Sequence, residues 1–355
     1  MLYSLPFICL VPSLLFRNDK KVSILFYKLV VCFLIIFCAL KDPFLYPDND
    51  NYFYFFRGDV NEFEENFGLG YTMLNHISRI FSPSFYFFMM MIAVIVITSY
   101  AIIIKRYSPY IWASLFIFIL INYFPSFFLL RQYLAIAVFL YSIKYLINRE
   151  AFKYGLCVLI AMSFHLSAII VAPLYYLYGL KNTKKNMLLL AIGSIAVILF
   201  FMAISSLIGM FSAYYAKYLD WDNDSPAWQR ALMKLYFLGV YLIATSRSYY
   251  KEGINRIIFY CCLFGAVISI AAINLYAAHR LLAYFTIAEF IGIPVIINEV
   301  SLKSRKRIPI VYYLLFVYII VLIVSFVSFV EGGNINNDYQ FFWKASDYQQ
   351  VGEQL

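Results

Sequence analysis

The chain has 355 residues, of which 64% are hydrophobic and 13% charged. A soluble domain usually carries about 45–50% apolar and about 25% charged residues, so a water-soluble globule and a disordered chain are both excluded. The formal charge of +9, from 28 Lys and Arg against 19 Asp and Glu, reads as cations gathered in loops on one side of a membrane, not as a nucleic-acid surface.

Taken in chain order, the apolar runs at 2–16, 22–40, 84–104, 111–124, 126–147, 187–211, 233–246, 257–275, 281–297 and 308–330 predict ten crossings. The yardstick is about 20 apolar residues for about 30 Å of hydrocarbon, so 2–16 and 111–124 are short. Pro125 predicts a turn between the fourth and fifth runs. The first 16 residues show no cleavable leader. Cys9, Cys32, Cys38, Cys157, Cys261 and Cys262 lie in apolar runs without metal-ligand spacing and read as buried, inert thiols.

The run 154–178 decides the topology. Read as a re-entrant hairpin turning near His165, it leaves seventeen cations on one face against eight on the other. The richer face holds the clusters at 17–21, 105–106, 149–153, 181–185, 247–256 and 303–307. The poorer face holds Lys41, Arg57, Arg79, Arg131, Lys217, Arg230, Arg280 and Lys344. A full crossing would scramble this split, which is the one that insertion favours. A hairpin inside the bilayer needs protein or a wet cavity to satisfy its backbone. The expected fold is therefore all-α: a polytopic membrane helix bundle of ten spans with one re-entrant hairpin. It forms a single integral membrane domain over 1–355, with both termini outside. Outer loops fall at 41–83 and 212–232, and an outer tail at 331–355.

The outer face holds most of the acids, among them Asp48, Asp50, Asp59, Glu62, Glu64 and Glu65 in the first loop and Asp220, Asp222 and Asp224 in the second. The Asp220–Asp224 group reads as a solvated turn. The inner loops are short, and the chain has neither a P-loop nor a G-x-G-x-x-G run, so no nucleotide-fuelled chemistry, cofactor or metal is expected. In the first outer loop a helix fits from Thr72. Thr72, Asn75, His76 and Arg79 form a polar stripe; Met73, Leu74, Ile77, Ile80 and Phe81 form the apolar side. Such an amphipathic helix lies on the membrane surface.

A few residues stand out chemically. Arg131-Gln132 lies just below the Pro125 turn, where a guanidinium should point into the bundle and could grip phosphate with its bidentate fork. His165 at the hairpin tip reaches a matching depth from the other side, by a rise of roughly 18 Å. Arg280 opens the run at 281–297, with Tyr284 expected one turn on along the same side. Glu289 lies deep in that run, either functional or held in a neutral interhelical hydrogen bond.

Five segments together resemble the EpsG family of bacterial membrane polymerases, akin in role to Wzy O-antigen and capsule polymerases. They are Asp50 to Tyr54, Gly70-Tyr71-x-x-Leu74-Asn75, Arg131-Gln132-x-Leu134-Ala135, Phe164-His165-x-Ser167-Ala168 and Arg280-x-x-x-Tyr284-Phe285. One departure is Gly68, where the family often carries an acid. The resemblance implies transfer of a growing glycan from undecaprenyl pyrophosphate onto a lipid-linked repeat unit, at the periplasmic face of the inner membrane. It also implies a GT-C-like architecture, membrane lipid as surroundings, and a chain-length regulator protein as a partner.

The residues fit that chemistry. Negative charge builds on the departing diphosphate, and preorganised cations stabilise it. Arg131, Gln132, Arg280 and Tyr284 are the first candidates for this, with Arg57 and Arg79 assisting. Asp50, then Asp48, then His165 are candidates for the base that takes the acceptor's proton. Tyr54, Tyr71, Asn75 and His76 are candidates for contacting sugar. Two rivals use the same features: a flippase or other transporter of lipid-linked oligosaccharide, and an O-antigen ligase.

Overall fold

A computed structural model describes residues 2–14, 19–58, 67–180, 183–211, 227–245, 253–273, 276–303, 308–331 and 339–341. Within these the chain is helical, with one isolated bridge between Lys41 and Phe341. It divides into two compact units. The first holds Met1–Ser142, Gly155–Ile169 and Ile320–Leu355; the second holds Ile143–Tyr154 and Ile170–Ile319.

In the first unit, Leu2–Leu14 is a series of short turns interrupted by Pro6 and Pro12. The expected crossing at 2–16 is therefore not a continuous helix, because each proline removes a backbone donor. Helix α1 (Lys20–Ala39) starts where the Asp19 carboxylate accepts from the Lys21 and Val22 amides. It leads to α2 (Asn49–Arg57), α3 (Leu69–Phe81) and α4 (Phe85–Tyr107). Tyr27 of α1 donates to the Ala101 carbonyl of α4 at 2.9 Å. Next come α5 (Ile111–Phe118), a π-turn at Ile119–Tyr123, and a tight turn at Pro125–Phe127, where the turn was expected. Asn122 in the π-turn accepts from Tyr100 at 3.3 Å and from Tyr133 of α6 (Leu130–Ile147) at 3.5 Å.

Residues 339–341, expected in the outer tail, dock on the end of α1. Tyr339 stacks on Phe37 at 4.2 Å and donates to its carbonyl at 2.6 Å.

Residues 151–178 double back. Helix α7 (Ala151–Phe164) ends at His165, and a 3-10 segment (Leu166–Val171) and a short helix (Leu174–Tyr178) return. A straight course would separate residues 154 and 171 by about 25 Å at a rise of about 1.5 Å each. Instead Tyr154 donates to the Val171 carbonyl at 2.7 Å, and Tyr175 donates to the Arg149 carbonyl at 2.8 Å. The Arg149 side chain answers by bonding the Tyr175 carbonyl and lying 4.2 Å over its ring.

The second unit continues with α8 (Lys184–Phe211), α9 (Ala227–Thr245) and α10 (Ile254–Ala271). A broken helix follows over Tyr276–Phe290, then α11 (Gly292–Lys303) and α12 (Ile308–Glu331). Residues 227–232, expected in an outer loop, are the first turns of α9.

Among the described residues, six helical stretches are long and apolar enough to cross a membrane: Lys20–Ala39, Phe85–Tyr107, Leu130–Ile147, Ile254–Ala271, Arg280–Ser301 and Pro309–Glu331. Shorter apolar helices account for Ile111–Tyr123, Ala151–Phe164, Leu166–Tyr178 and Leu188–Phe200. Their outer faces expose large apolar side chains, such as Leu25, Leu189, Phe200 and Phe316. Water would not tolerate so much apolar surface, so this is a membrane protein. Cys32 also faces outward, against the expectation of burial; all six thiols are free.

Candidate functional site

In the first unit, Arg131 in the first turn of α6 lies among aromatic rings. The guanidinium lies 4.8 Å from the Phe67 ring centre and 5.9 Å from that of Tyr52. Both rings are buried. Phe67 stacks on Phe55 at 4.1 Å, and Tyr71 closes the group at 5.4 Å from Tyr52. Aromatic faces attract a guanidinium, whose planar fork is also the geometry that matches phosphate. Burial pushes the Tyr52 hydroxyl's pKa up, while the Arg131 guanidinium bonded to it acts to lower it. Asp48 also acts electrostatically on Tyr52. Gln132 is buried beside Arg131 in sequence.

Helix α3 is amphipathic as expected, but its faces divide differently. Leu69, Met73, Ile77, Ile80 and Phe81 are exposed, up to 80% for Ile80. Tyr71, Asn75 and Ser78 are at most 4% exposed and pack inward. The predicted stripe of Thr72, Asn75, His76 and Arg79 thus splits: Asn75 is buried, while His76 and Arg79 are exposed. The reason is the helical repeat, which centres the inner sector on positions 71, 75 and 78.

The start of α3 lies against the end of α7. A Cβ at Gly68 would stand 2.6 Å from the Ser163 carbonyl oxygen, and the residue holds φ +81. An acid could not sit there, which accounts for the departure at Gly68 in physical terms. Gly70 is pressed equally closely by Ser163. Two residues beyond Ser163, the His165 ring nitrogen Nδ1 lies 2.5 Å from Ser167 Oγ. In the first unit Arg131 and Tyr71 meet through the Phe67 ring, and the next residue, Gly68, packs on the backbone of Ser163 and Phe164. The unit leaves Asp50, Tyr54 and Arg57 on the exposed side of α2, with Arg57 over the Phe53 ring at 5.6 Å. Arg79 lies over Phe56 at 5.8 Å. Asp59, Glu62, Glu64, Glu65 and the acids at 220–224 lie outside the described residues.

The EpsG family model matches residues 29–341. The chain belongs to the EpsG family. No curated protein and no solved structure matches it. Membership agrees with the resemblance to Wzy-type polymerases and suggests a polysaccharide polymerase-like, glycosyltransferase-like role.

In the second unit of this EpsG protein, Arg280 opens a 3-10 segment, Arg280–Phe285. With about three residues per turn, positions four apart no longer share a side. Arg280 is accordingly exposed and Tyr284 is buried, contrary to the expected common side. Glu289, 2% exposed, is ion-paired with Lys234 of α9, and Tyr318 of α12 donates to the same oxygen at 2.7 Å. The neutral hydrogen bond considered from sequence is thus a charged one. Burial, with Arg230, Lys234 and Arg280 nearby, pushes His279 down to about 3.

Tyr52, Phe67, Ser78 and Lys234 escaped the sequence reading. Among 33 tyrosines and 36 phenylalanines, nothing local singled out two that flank an arginine. Lys234 carried a signal in hindsight: a cation inside an apolar run needs a partner, and Glu289 needed one too.

Proposed function

We propose that this EpsG protein polymerises lipid-linked oligosaccharide repeat units, transferring a growing glycan from undecaprenyl pyrophosphate at the periplasmic face. The observation that carries this is Arg131 over Phe67 and Tyr52, in a chain of this family. In this reading the Arg131 guanidinium receives the diphosphate. An acceptor hydroxyl attacks the anomeric carbon, the bond to the phosphate oxygen breaks, and the electron pair leaves with the diphosphate. Asp48 or His165 takes the acceptor's proton. Both Asp48 and Asp50 are exposed, and Asp48 is preferred because it acts electrostatically on Tyr52. Tyr71 and Asn75, in the same unit as Arg131, meet the sugar. No metal enters the scheme.

The orientation follows from the cations. In this reading the hairpin 151–178 is re-entrant and both termini lie with the acidic loops. Tyr3 supports this for the amino terminus, because its hydroxyl is 3.3 Å from that of Tyr46 in the first outer loop and its ring is 6.0 Å from Tyr339 in the outer tail. The broken segment 2–14 then leads from that side to the basic cluster at 17–21.

Arg131→Ala and His165→Ala should each collapse surface glycan to single repeats on a gel while the protein still inserts. Long chains at normal levels in both would refute the assignment. Precursor trapped on the cytoplasmic side would favour a flippase. Polymer retained on carrier lipid, with no surface sugar, would favour a ligase.

A further inference from the structure

We propose that the buried face of α3, carried by Tyr71, Asn75 and Ser78, is a hydroxyl-recognition stripe for the first sugar attached to the diphosphate. The proposal rests on the polymerase reading for its guest, and on three buried atoms for its place.

The Tyr71 hydroxyl, the Asn75 Oδ1 and the Ser78 hydroxyl are buried, and none has a hydrogen-bond partner among the described residues. Tyr71 and Ser78 are 0% exposed and Asn75 is 4% exposed. The spacing i, i+4, i+7 puts all three within one narrow sector of the helix. A buried polar group left unmet costs about 1–3 kcal/mol, so three on one line form a row that a polar guest would satisfy.

The donor set identifies the guest's chemistry. Two hydroxyls can each donate and accept, and an amide oxygen accepts. All are neutral, so the stripe offers no counter-charge to an ion, and an apolar guest would leave all three unmet. A sugar meets both conditions: its hydroxyls supply donors and acceptors, and its C–H face can rest on aromatic rings. Tyr71 lies among such rings, with Phe67 at 5.8 Å and Phe88 at 5.4 Å. Tyr71 also feels the Arg131 charge, which puts the head of the stripe beside the proposed diphosphate anchor. A sugar bonded directly to a diphosphate has this same adjacency. The stripe is closed over in this structure, so entry requires α3 to lift from the rings beneath it.

The test uses free repeat-unit oligosaccharide, released by mild acid from the native surface polysaccharide and therefore lacking both lipid and diphosphate. Its binding to purified full-length protein is measured by calorimetry, alongside the thermal midpoint. Wild type should bind. Tyr71→Phe, Asn75→Leu and Ser78→Ala should each weaken binding about tenfold, which is about 1.4 kcal/mol. Their midpoints should hold or rise, because each change removes an unmet buried atom. Ile77→Ala, on the exposed face of the same helix, should bind the free oligosaccharide like wild type. Absence of wild-type binding overturns the proposal. So does binding unchanged in all three variants, which would assign the atoms to buried water. If the polymerase reading alone is wrong, wild type fails to extend chains while sugar binding and its loss persist.

Discussion

The Arg131 guanidinium lies 4.8 Å from the centre of the Phe67 ring, one residue before the backbone turn at Gly68. The anchor's position is therefore tied to how α3 begins. Replacing Arg131 by Lys keeps the charge but loses the planar fork and its stacking. Arg131→Lys should lower chain growth at least tenfold, with most of the loss in KM, as measured with lipid-linked repeat units. Activity equal to wild type would show that a point charge suffices.

Two glycines should respond differently to the same neighbour. The added Cβ of Gly68→Ala meets a backbone carbonyl at positive φ. That of Gly70→Ala meets the Ser163 side-chain oxygen first. Each single change should lower the thermal midpoint, at a cost of about 1–3 kcal/mol. Adding Ser163→Ala should recover part of the Gly70→Ala loss and none of the Gly68→Ala loss. Equal recovery of both would contradict the packing described.

Breaking the buried pair of Lys234 and Glu289 should be costly. Glu289→Ala or Lys234→Ala leaves one charge uncompensated, a loss of about 3–5 kcal/mol. Lys234→Met with Glu289→Leu removes both charges and should be markedly milder. Chemical denaturation in detergent measures all three. A double variant worse than either single one would mean that the pair does more than balance charge.

Stability should also depend on His279. Its pKa is pushed down to about 3 by burial and nearby cations, below the ordinary value of 6.5. The unfolded chain therefore binds a proton between these values that the folded chain refuses. Stability is full above about pH 6.5 and declines as pH falls toward 3. His279→Gln should flatten the decline in thermal midpoint between pH 7 and 5. An unchanged slope would assign the pH dependence to other groups.

Most spans were legible because apolar runs of 20 residues have few alternatives in lipid. The sequence suggested a turn near His165 from charge alone; the contacts of Tyr154 with Val171 and of Tyr175 with Arg149 depend on side chains that a charge count does not register. That 2–14 is a series of short turns and not one helix was not legible, because hydropathy registers apolar content and overlooks what Pro6 and Pro12 do to helical bonding. The face of α3 was only partly legible: His76 and Arg79 are exposed as a surface stripe requires, but the helical repeat carries Asn75 inward with Tyr71 and Ser78. Arg280 and Tyr284 were placed on one side by assuming a 3.6-residue repeat where the chain is 3-10. The ring pair flanking Arg131 depends on contacts across three helices, which no local pattern encodes.

The most direct measurement of the central claim uses purified protein in liposomes with lipid-linked repeat units and no nucleotide, with chelator added. Wild type should produce a ladder of increasing chain lengths, and Arg131→Ala should leave only the single repeat. No ladder from wild type, or the same ladder from Arg131→Ala, would contradict the account.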